Sequence, residues 1–399
     1  MKVGIVGCGL GGLLIGGLLA KDGFSVKIYE QLPFIGGRFT HFDYDGFKLT
    51  TGALHMIPHG SRGYLANILK KVGANVNIVD SNPDGTFLIN GKEYLYNELF
   101  SILNAKDKLK AINLATKLKL KNVNKNISFG EFLEDIDLAL KIGRAFTGWS
   151  LSLSPYDVPL SEILNIMDNY HKFGGPGIPI GGCKKVIDEL ERIILNSGGE
   201  IVKEYEVKSI EIEEDKGYID DEEFDIVISN ISPQKTQEIC NIKFLNKDVE
   251  PAGGIKINIA TKKGIIKHGG VLFTPECERV NGLNQVTNVD KSLAPEGWHL
   301  VMTHQALLSK NIKKEIDLGL EDIERLFKDI DYKILLIQSY FDGWPVNYVK
   351  SGISINNIIS DRFYLVGDGA KPSGGIEVEG IAMGVLKVYN HIVKKYGKN

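Results

Sequence analysis

The sequence predicts an α/β protein in which a parallel sheet covered by helices is interrupted by an inserted α+β unit. Three observations carry this. The chain opens on a short β-branched run, KVGIV (2–6), that passes through a glycine-rich turn into a helical pattern. It closes in the same way, with RFYLVGD (362–368) running into a long helix-like stretch. Between the two ends lie further apolar strands and amphipathic helices, within 399 residues that suffice for two or three domains.

The opening strand is followed by Gly7, Gly9 and Gly12, a GxGxxG with Gly11 as an extra glycine. LLIGGLLAKDG then reads as a helix ending near Asp22–Gly23, and SVKIYE (25–30) as a second strand. The first glycine of such a turn makes the tight bend, the second admits a pyrophosphate, and the third lets helix and strand pack closely. The helix N-terminus presents free N–H groups and a positive dipole end to phosphate. Glu30 ends the second strand, with Gln31 beside it, about 20 residues beyond the turn, where a carboxylate accepts from adenosine ribose hydroxyls. This is a Rossmann-like dinucleotide site.

Residues 31–40, QLPFIGGRFT, place Gly36, Gly37 and Arg38 just past that carboxylate. Arg occurs only seven times in this Lys-rich chain. A guanidinium after a Gly-Gly turn can lie against a pyrophosphate with a fixed fork geometry that lysine lacks.

Composition sets the surroundings. The chain is 43% hydrophobic and 24% charged, and its net charge of −3 gives no global pull toward nucleic acid. Cys8, Cys183, Cys240 and Cys277 lie far apart without metal-type spacing, which points to a reducing cytoplasm. His55 and His59 are four apart, but Pro58 intervenes and no acidic third ligand lies near, so no metal is expected. Lys2 with the apolar stretch Val3 to Ala20 imitates a secretory leader, yet glycines at 4, 7, 9, 11, 12, 16 and 17 break it. A soluble, cytoplasmic protein is expected.

At the far end, Gly367–Asp368 finishes a buried strand, and Asp368 suits a ribityl hydroxyl. Gly374–Gly375 then leads into IEVEGIAMGVLKVYNHIV, whose Gly380, Ala382 and Gly384 allow close approach to a flat ring. The N–H groups near Val378 and Glu379 would face the edge of a flavin where negative charge collects on reduction.

Taken together, GCGLGG, Glu30, GGR, VGD and GGIEVEG resemble the FAD-dependent amine oxidase/phytoene desaturase superfamily, and within it the archaeal phytoene-desaturase-related oxidoreductases. The resemblance implies FAD as cofactor, and a flavin-side segment at residues 46–58, GFKLTTGALHMIP, with Gly52 and Ala53 near the ring. It also implies an adenine contact at Val207 and a flavin contact around Gly375 and Ile376. Relatives with a cysteine-linked flavin carry that Cys in the C-terminal glycine region, which here reads AKPSGGIEV, so the FAD is expected to be non-covalent.

Because cofactor elements lie at both ends and in the middle, the FAD-binding domain is expected to be discontinuous, over about 1–75, 176–245 and 355–399. The substrate domain would then take about 76–175 and 246–354. GGIKINIA, GWHLVMTHQALL and KILLIQSYFDGWP read as its strands, with a helix over LGLEDIERLFKDI. EEDKGYIDDEEF (213–224) reads as a solvated hairpin. Residues 105–125 hold seven lysines and one acid among leucines. They read as a solvated helix face, with weak contact to an anionic membrane surface as the alternative.

Hydride transfer to flavin N5 needs position and exclusion of water more than an acid or base. His55 is the polar candidate nearest the ring, and Trp149, Tyr170, Phe173 and Trp344 are candidate walls of a pocket for an apolar small molecule. The expected function is hydride exchange with an apolar, isoprenoid substrate in desaturation, saturation or isomerisation. The alternatives are amine oxidation at a C–N bond and a non-catalytic prenyl-binding module of the same architecture.

Overall fold

The computed structural model describes residues 1–52, 54–245, 251–340 and 355–397. Among these, five parallel strands form one sheet in the order Phe363–Leu365, Ile226–Ser229, Lys2–Val6, Ser25–Tyr29, Glu200–Val202. The chain moves outward from Lys2–Val6 in one direction, then returns to pair Ile226–Ser229 on its other edge. That reversal is a topological switch point, where open α/β sheets form a crevice beyond the carboxyl ends of their strands. Asn230 and Gly7 meet there, the Asn230 amide donating to the Gly7 carbonyl at 3.1 Å.

The Leu10–Lys21 helix is buried from Leu10 to Ala20, as expected of a helix apolar all round. It packs between the sheet and the Gly182–Asn196 and Glu377–Tyr396 helices. Gly7 takes φ +95° to turn the chain into this helix. A Cβ on Gly12 would stand 2.2 Å from the Gly7 carbonyl oxygen, so the helix can lie this close only with glycine there. The 213–224 segment does form a hairpin, but it is only partly solvated. Ile219 and Phe224 are each 1% exposed and cover the outer face of the parallel sheet, so the acidic residues are its rim.

A second sheet runs in the order Tyr332–Tyr340, Gly254–Thr261, His299–Ala306, Gly282–Gln285, Val271–Phe273, Gly85–Ile89, Lys92–Tyr94. Its pairings are antiparallel except that between Val271–Phe273 and Gly85–Ile89. The Ile312–Leu326 helix closes one side of it through Ile323, with Phe327 just beyond the helix end. The Phe129–Leu133 helix packs on Asp137–Leu151 and Leu160–Phe173, and Asp137–Leu151 meets the His299–Ala306 and Val271–Phe273 strands, while Ala105–Lys119 lies further out. Among the described residues, no helix is long and apolar enough to cross a membrane.

Candidate active site: a cleft at the switch point and the cavity it meets

The cleft begins at the glycine turn. Gly9 caps the Leu10–Lys21 helix without any side-chain hydrogen bond, which leaves first-turn N–H groups pointing outward. A Cβ on Gly11 would lie 2.4 Å from Asn230 Oδ1 and 2.9 Å from the Gly367 nitrogen, so three chain segments converge on this point. Gly9, Gly11, Gly37 and Arg38 line the cleft from one end of the chain, and Gly367, Asp368 and Val378 from the other. Gly52 borders it in the middle.

Glu30 lies behind the turn, 7% exposed. Its carboxylate accepts the Cys8 N–H at 2.8 Å and the Leu32 N–H at 3.0 Å. Arg38 is ion-paired with Asp368, whose other oxygen accepts from Lys371 Nζ at 2.7 Å. Burial lowers the Arg38 guanidinium to about 10 and the Lys371 ammonium to about 7, Arg38 pushing Lys371 further down. Asp368 thus bonds Arg38 through one oxygen and Lys371 through the other.

Other expected residues lie elsewhere. His55 is fully buried, its Nε2–H donating to the Lys48 carbonyl at 2.7 Å and its Nδ1 accepting the Cys183 N–H at 3.0 Å. Burial holds it neutral, at about 3. Both ring nitrogens are thus satisfied within the core, and His55 lines neither the cleft nor the cavity beyond it. The Glu379 side chain turns away from the cleft and caps the Tyr64–Val72 helix, accepting the Tyr64 and Leu65 N–H groups at 2.6 and 3.3 Å. Gln31 is exposed. Val207 packs in the cluster containing Tyr29, on the Glu30 side of the sheet. Gly375 presses against Gly380, where a Cβ would come within 2.6 Å of its Cα. Ala53 and Trp344 lie outside the described residues.

Beyond the cleft lies a mostly apolar cavity of about 820 Å³. Trp149 and Tyr170 line it, as expected, and so does Ile376, which had been assigned to the cofactor. Phe173 instead packs edge-on against Tyr64 at 4.7 Å and tilts against His59 at 5.8 Å. The rest of the wall comes from aliphatic side chains such as Leu138, Ile142 and Leu164 and from further aromatics that sequence reading passed over, including Phe87, Phe129, Phe146 and Phe273.

Trp149 and Glu377 line both spaces, so they stand where cleft and cavity meet. Glu377 opens the Glu377–Tyr396 helix with φ +42°, a conformation that non-glycine residues adopt at a cost of about 1–3 kcal/mol and that clusters at functional sites. Burial pushes the carboxyl up to about 7, and Lys371 pulls it partly back. His304 borders the cleft beside Trp149 with ring centroids 6.2 Å apart. Burial, then repulsion from Lys256, keeps it neutral at about 3. Lys256 is wholly buried under the 50–52 stretch and donates to the Thr50 carbonyl at 3.0 Å, the Gly52 carbonyl at 3.1 Å and the Thr50 hydroxyl. Burial lowers it toward 7, but these oxygen acceptors favour the ammonium form. His304 and Tyr340, which also lines the cleft, carry no local sequence signal, and Glu377 stands within GGIEVEG with nothing there to single it out. Only the preference of strained residues for active sites could have singled out Glu377.

Residues 5–83 match the model of an NAD(P)-binding Rossmann-like domain. Over 98% of its length, and 99% of the relative's, the chain is 73% identical to an uncharacterized protein of Methanocaldococcus jannaschii. It is 24% identical to the chloroplastic prolycopene isomerase of Daucus carota, over 93% of this chain and 77% of that one. A 92-residue stretch, 23% of this chain and 16% of the relative, is 37% identical to zeta-carotene desaturase of Zea mays. Among solved structures, an oxidoreductase from Methanosarcina mazei superposes with a TM-score of 0.91 at 41% identity, covering 98% of this chain and all of that one. Putrescine oxidase shares the fold, with a TM-score of 0.73 at 14% identity over 99% of each chain.

Proposed function

Because the chain belongs to the FAD-dependent amine oxidase/phytoene desaturase superfamily of oxidoreductases, we propose that it holds FAD non-covalently and exchanges hydride with an apolar, isoprenoid substrate. The observation that carries this reading is the junction at Trp149 and Glu377, where the cofactor cleft meets the 820 Å³ cavity.

The residues present fit FAD. The uncapped helix start at Gly9 and the tight approach around Gly11 suit a pyrophosphate, and Arg38 adds a cation beside it. Glu30 would hold the adenosine ribose and Asp368 the ribityl chain. Gly52 and Val378 would border the ring, and Val207 the adenine. In this division about 1–75, 176–245 and 355–399 serve the cofactor, and about 76–175 and 246–354 the substrate. Among the described residues no cysteine lines the cleft, which supports a non-covalent link. When bound, FAD supplies a two-electron acceptor or donor of hydride.

The chain's own contribution is placement and dryness. Trp149 and the cavity aromatics exclude water, and a prenyl chain buried there gains about 0.8 kcal/mol per CH₂. Neutral His304 puts no charge beside the reacting atoms. Glu377 can hold a proton at its carboxyl near neutral pH, and so can give one to, or take one from, a substrate carbon at the junction. A second reading, oxidation of an amine, is favoured by the same residue, since ionised Glu377 could pair with an ammonium group.

The test uses the holoprotein. Acid precipitation should leave yellow FAD in the supernatant. Oxidised and dithionite-reduced protein is then mixed without oxygen with prenyl compounds of increasing length and with mono- and polyamines. A flavin absorbance change with prenyl compounds is expected. Bleaching by an amine, with no response to any prenyl compound, overturns the ranking in favour of amine oxidation. A colourless protein that does not take up FAD leaves the prenyl-binding module.

A further inference from the structure

The Ala105–Lys119 helix contains no buried residue, and its sequence places unlike groups around it in an ordered way. At about 100° per residue, Leu109, Ile112, Thr116 and Leu120 fall on one stripe. That stripe points outward: Leu109 is 70% exposed, Ile112 52% and Leu120 71%. The same geometry sets Lys106 and Lys117 along one flank and Lys108 and Lys119 along the other. On the inward side, Ala111 and Leu118 line the large cavity. A merely solvated helix would turn its leucines in and its lysines out. Here Leu109, Ile112 and Leu120 are outermost and the lysines stand beside them.

The surroundings extend the pattern. Tyr96 and Phe100 line the cavity yet are 71% and 48% exposed, so they mark a mouth beside this helix. Lys108 Nζ lies 6.0 Å from the Phe100 ring centroid, tying mouth and helix into one surface. Large exposed apolar groups gathered together mark an interaction site. The charge decides what it meets. Residues 105–125 carry seven lysines and one acid, so a second copy docking through the same patch would set lysine against lysine. Apolar residues flanked by snorkelling lysines match a bilayer interface of anionic lipid.

We propose that the Ala105–Lys119 helix lies in the surface of an anionic membrane, with Leu109, Ile112 and Leu120 in the acyl boundary and the flanking lysines on lipid headgroups. The mouth at Tyr96 and Phe100 then faces lipid, and an apolar chain can pass into the cavity without crossing water. The docking stands on the helix surface alone. The passage of substrate rests on the apolar-substrate reading above, and the test below addresses the docking, so the two can fail separately.

The full-length protein is sedimented with vesicles of phosphatidylglycerol mixed with phosphatidylcholine, and with vesicles of phosphatidylcholine alone. Binding to the anionic vesicles is expected, weakening as salt is raised. Leu109→Glu with Ile112→Glu should lower partitioning by at least about tenfold. Lys106→Glu, Lys117→Glu and Lys119→Glu together should lower it by about a hundredfold or more. Both variants change exposed positions and should keep the wild-type melting temperature. No sedimentation of the wild type with anionic vesicles overturns the proposal, as does binding that neither variant reduces. Concentration-dependent dimerisation abolished by the leucine variant, without vesicle binding, makes the face a self-interface instead.

Discussion

Arg38 and Asp368, from opposite ends of the chain, are ion-paired within the cleft, and Lys371 holds the second Asp368 oxygen. The side chains of Arg38 and Asp368 are 14% and 9% exposed, so the pair has little solvent to replace either partner. Arg38 and Lys371 thus share this one buried carboxylate.

Asp368→Asn should therefore destabilise the protein by about 3–5 kcal/mol, because it strands buried positive charge. Adding Arg38→Gln should recover part of that loss, since one of the stranded charges goes with it. Denaturant unfolding of the two single variants and the double variant measures the coupling. Strictly additive losses would mean the pair contributes nothing.

Glu30→Ala should weaken FAD binding by roughly 10–150-fold, through loss of a charge-assisted hydrogen bond of about 1.5–3 kcal/mol. It should also lower stability without cofactor, because the buried Cys8 N–H loses its acceptor. Glu30→Gln keeps an oxygen for one N–H and should fall between. Flavin fluorescence titration and thermal melting separate the two effects. Unchanged FAD affinity in Glu30→Ala would remove this residue from the cofactor site.

Glu377 titrates at about 7 in the folded chain, above its ordinary 4.5, because burial disfavours the charged form. The folded state thus holds this proton more tightly than the unfolded one. Its contribution to stability is complete below about pH 4.5 and is lost as pH rises through about 7. Glu377→Gln has no such loss, so its melting temperature should gain on the wild type as pH is raised across that window. In turnover, the variant should lose the pH dependence centred near 7. A constant difference in melting temperature would place the carboxyl in water.

Ala139 lines the cavity but not the cleft. Ala139→Trp should reduce the flavin response to long prenyl compounds more than to short ones while leaving FAD affinity unchanged. Equal loss at all lengths, or loss of FAD, would detach the cavity from substrate binding.

The Rossmann-like part of the fold was legible in the sequence because its requirements are local. A strand, a glycine turn and a helix determine the phosphate cradle within a few residues, since only glycine tolerates φ +95° at Gly7 or the 2.2 Å approach at Gly12. Glu30, Arg38 and Asp368 follow such turns at short, readable spacings. The rest depended on which distant segments come together. His55 looked like a residue beside a ring, but packing gave both its nitrogens to the core. The cavity wall is drawn from several helices and strands, and no periodicity in any one of them announces a shared space. Glu377 sits two residues from Glu379 in the same helix, yet one stands where cleft and cavity meet and the other caps a helix. The leucines among the lysines of 105–125 were visible in the sequence. Only the tertiary structure, by turning Leu118 to the cavity, decided that Leu109, Ile112 and Leu120 point outward.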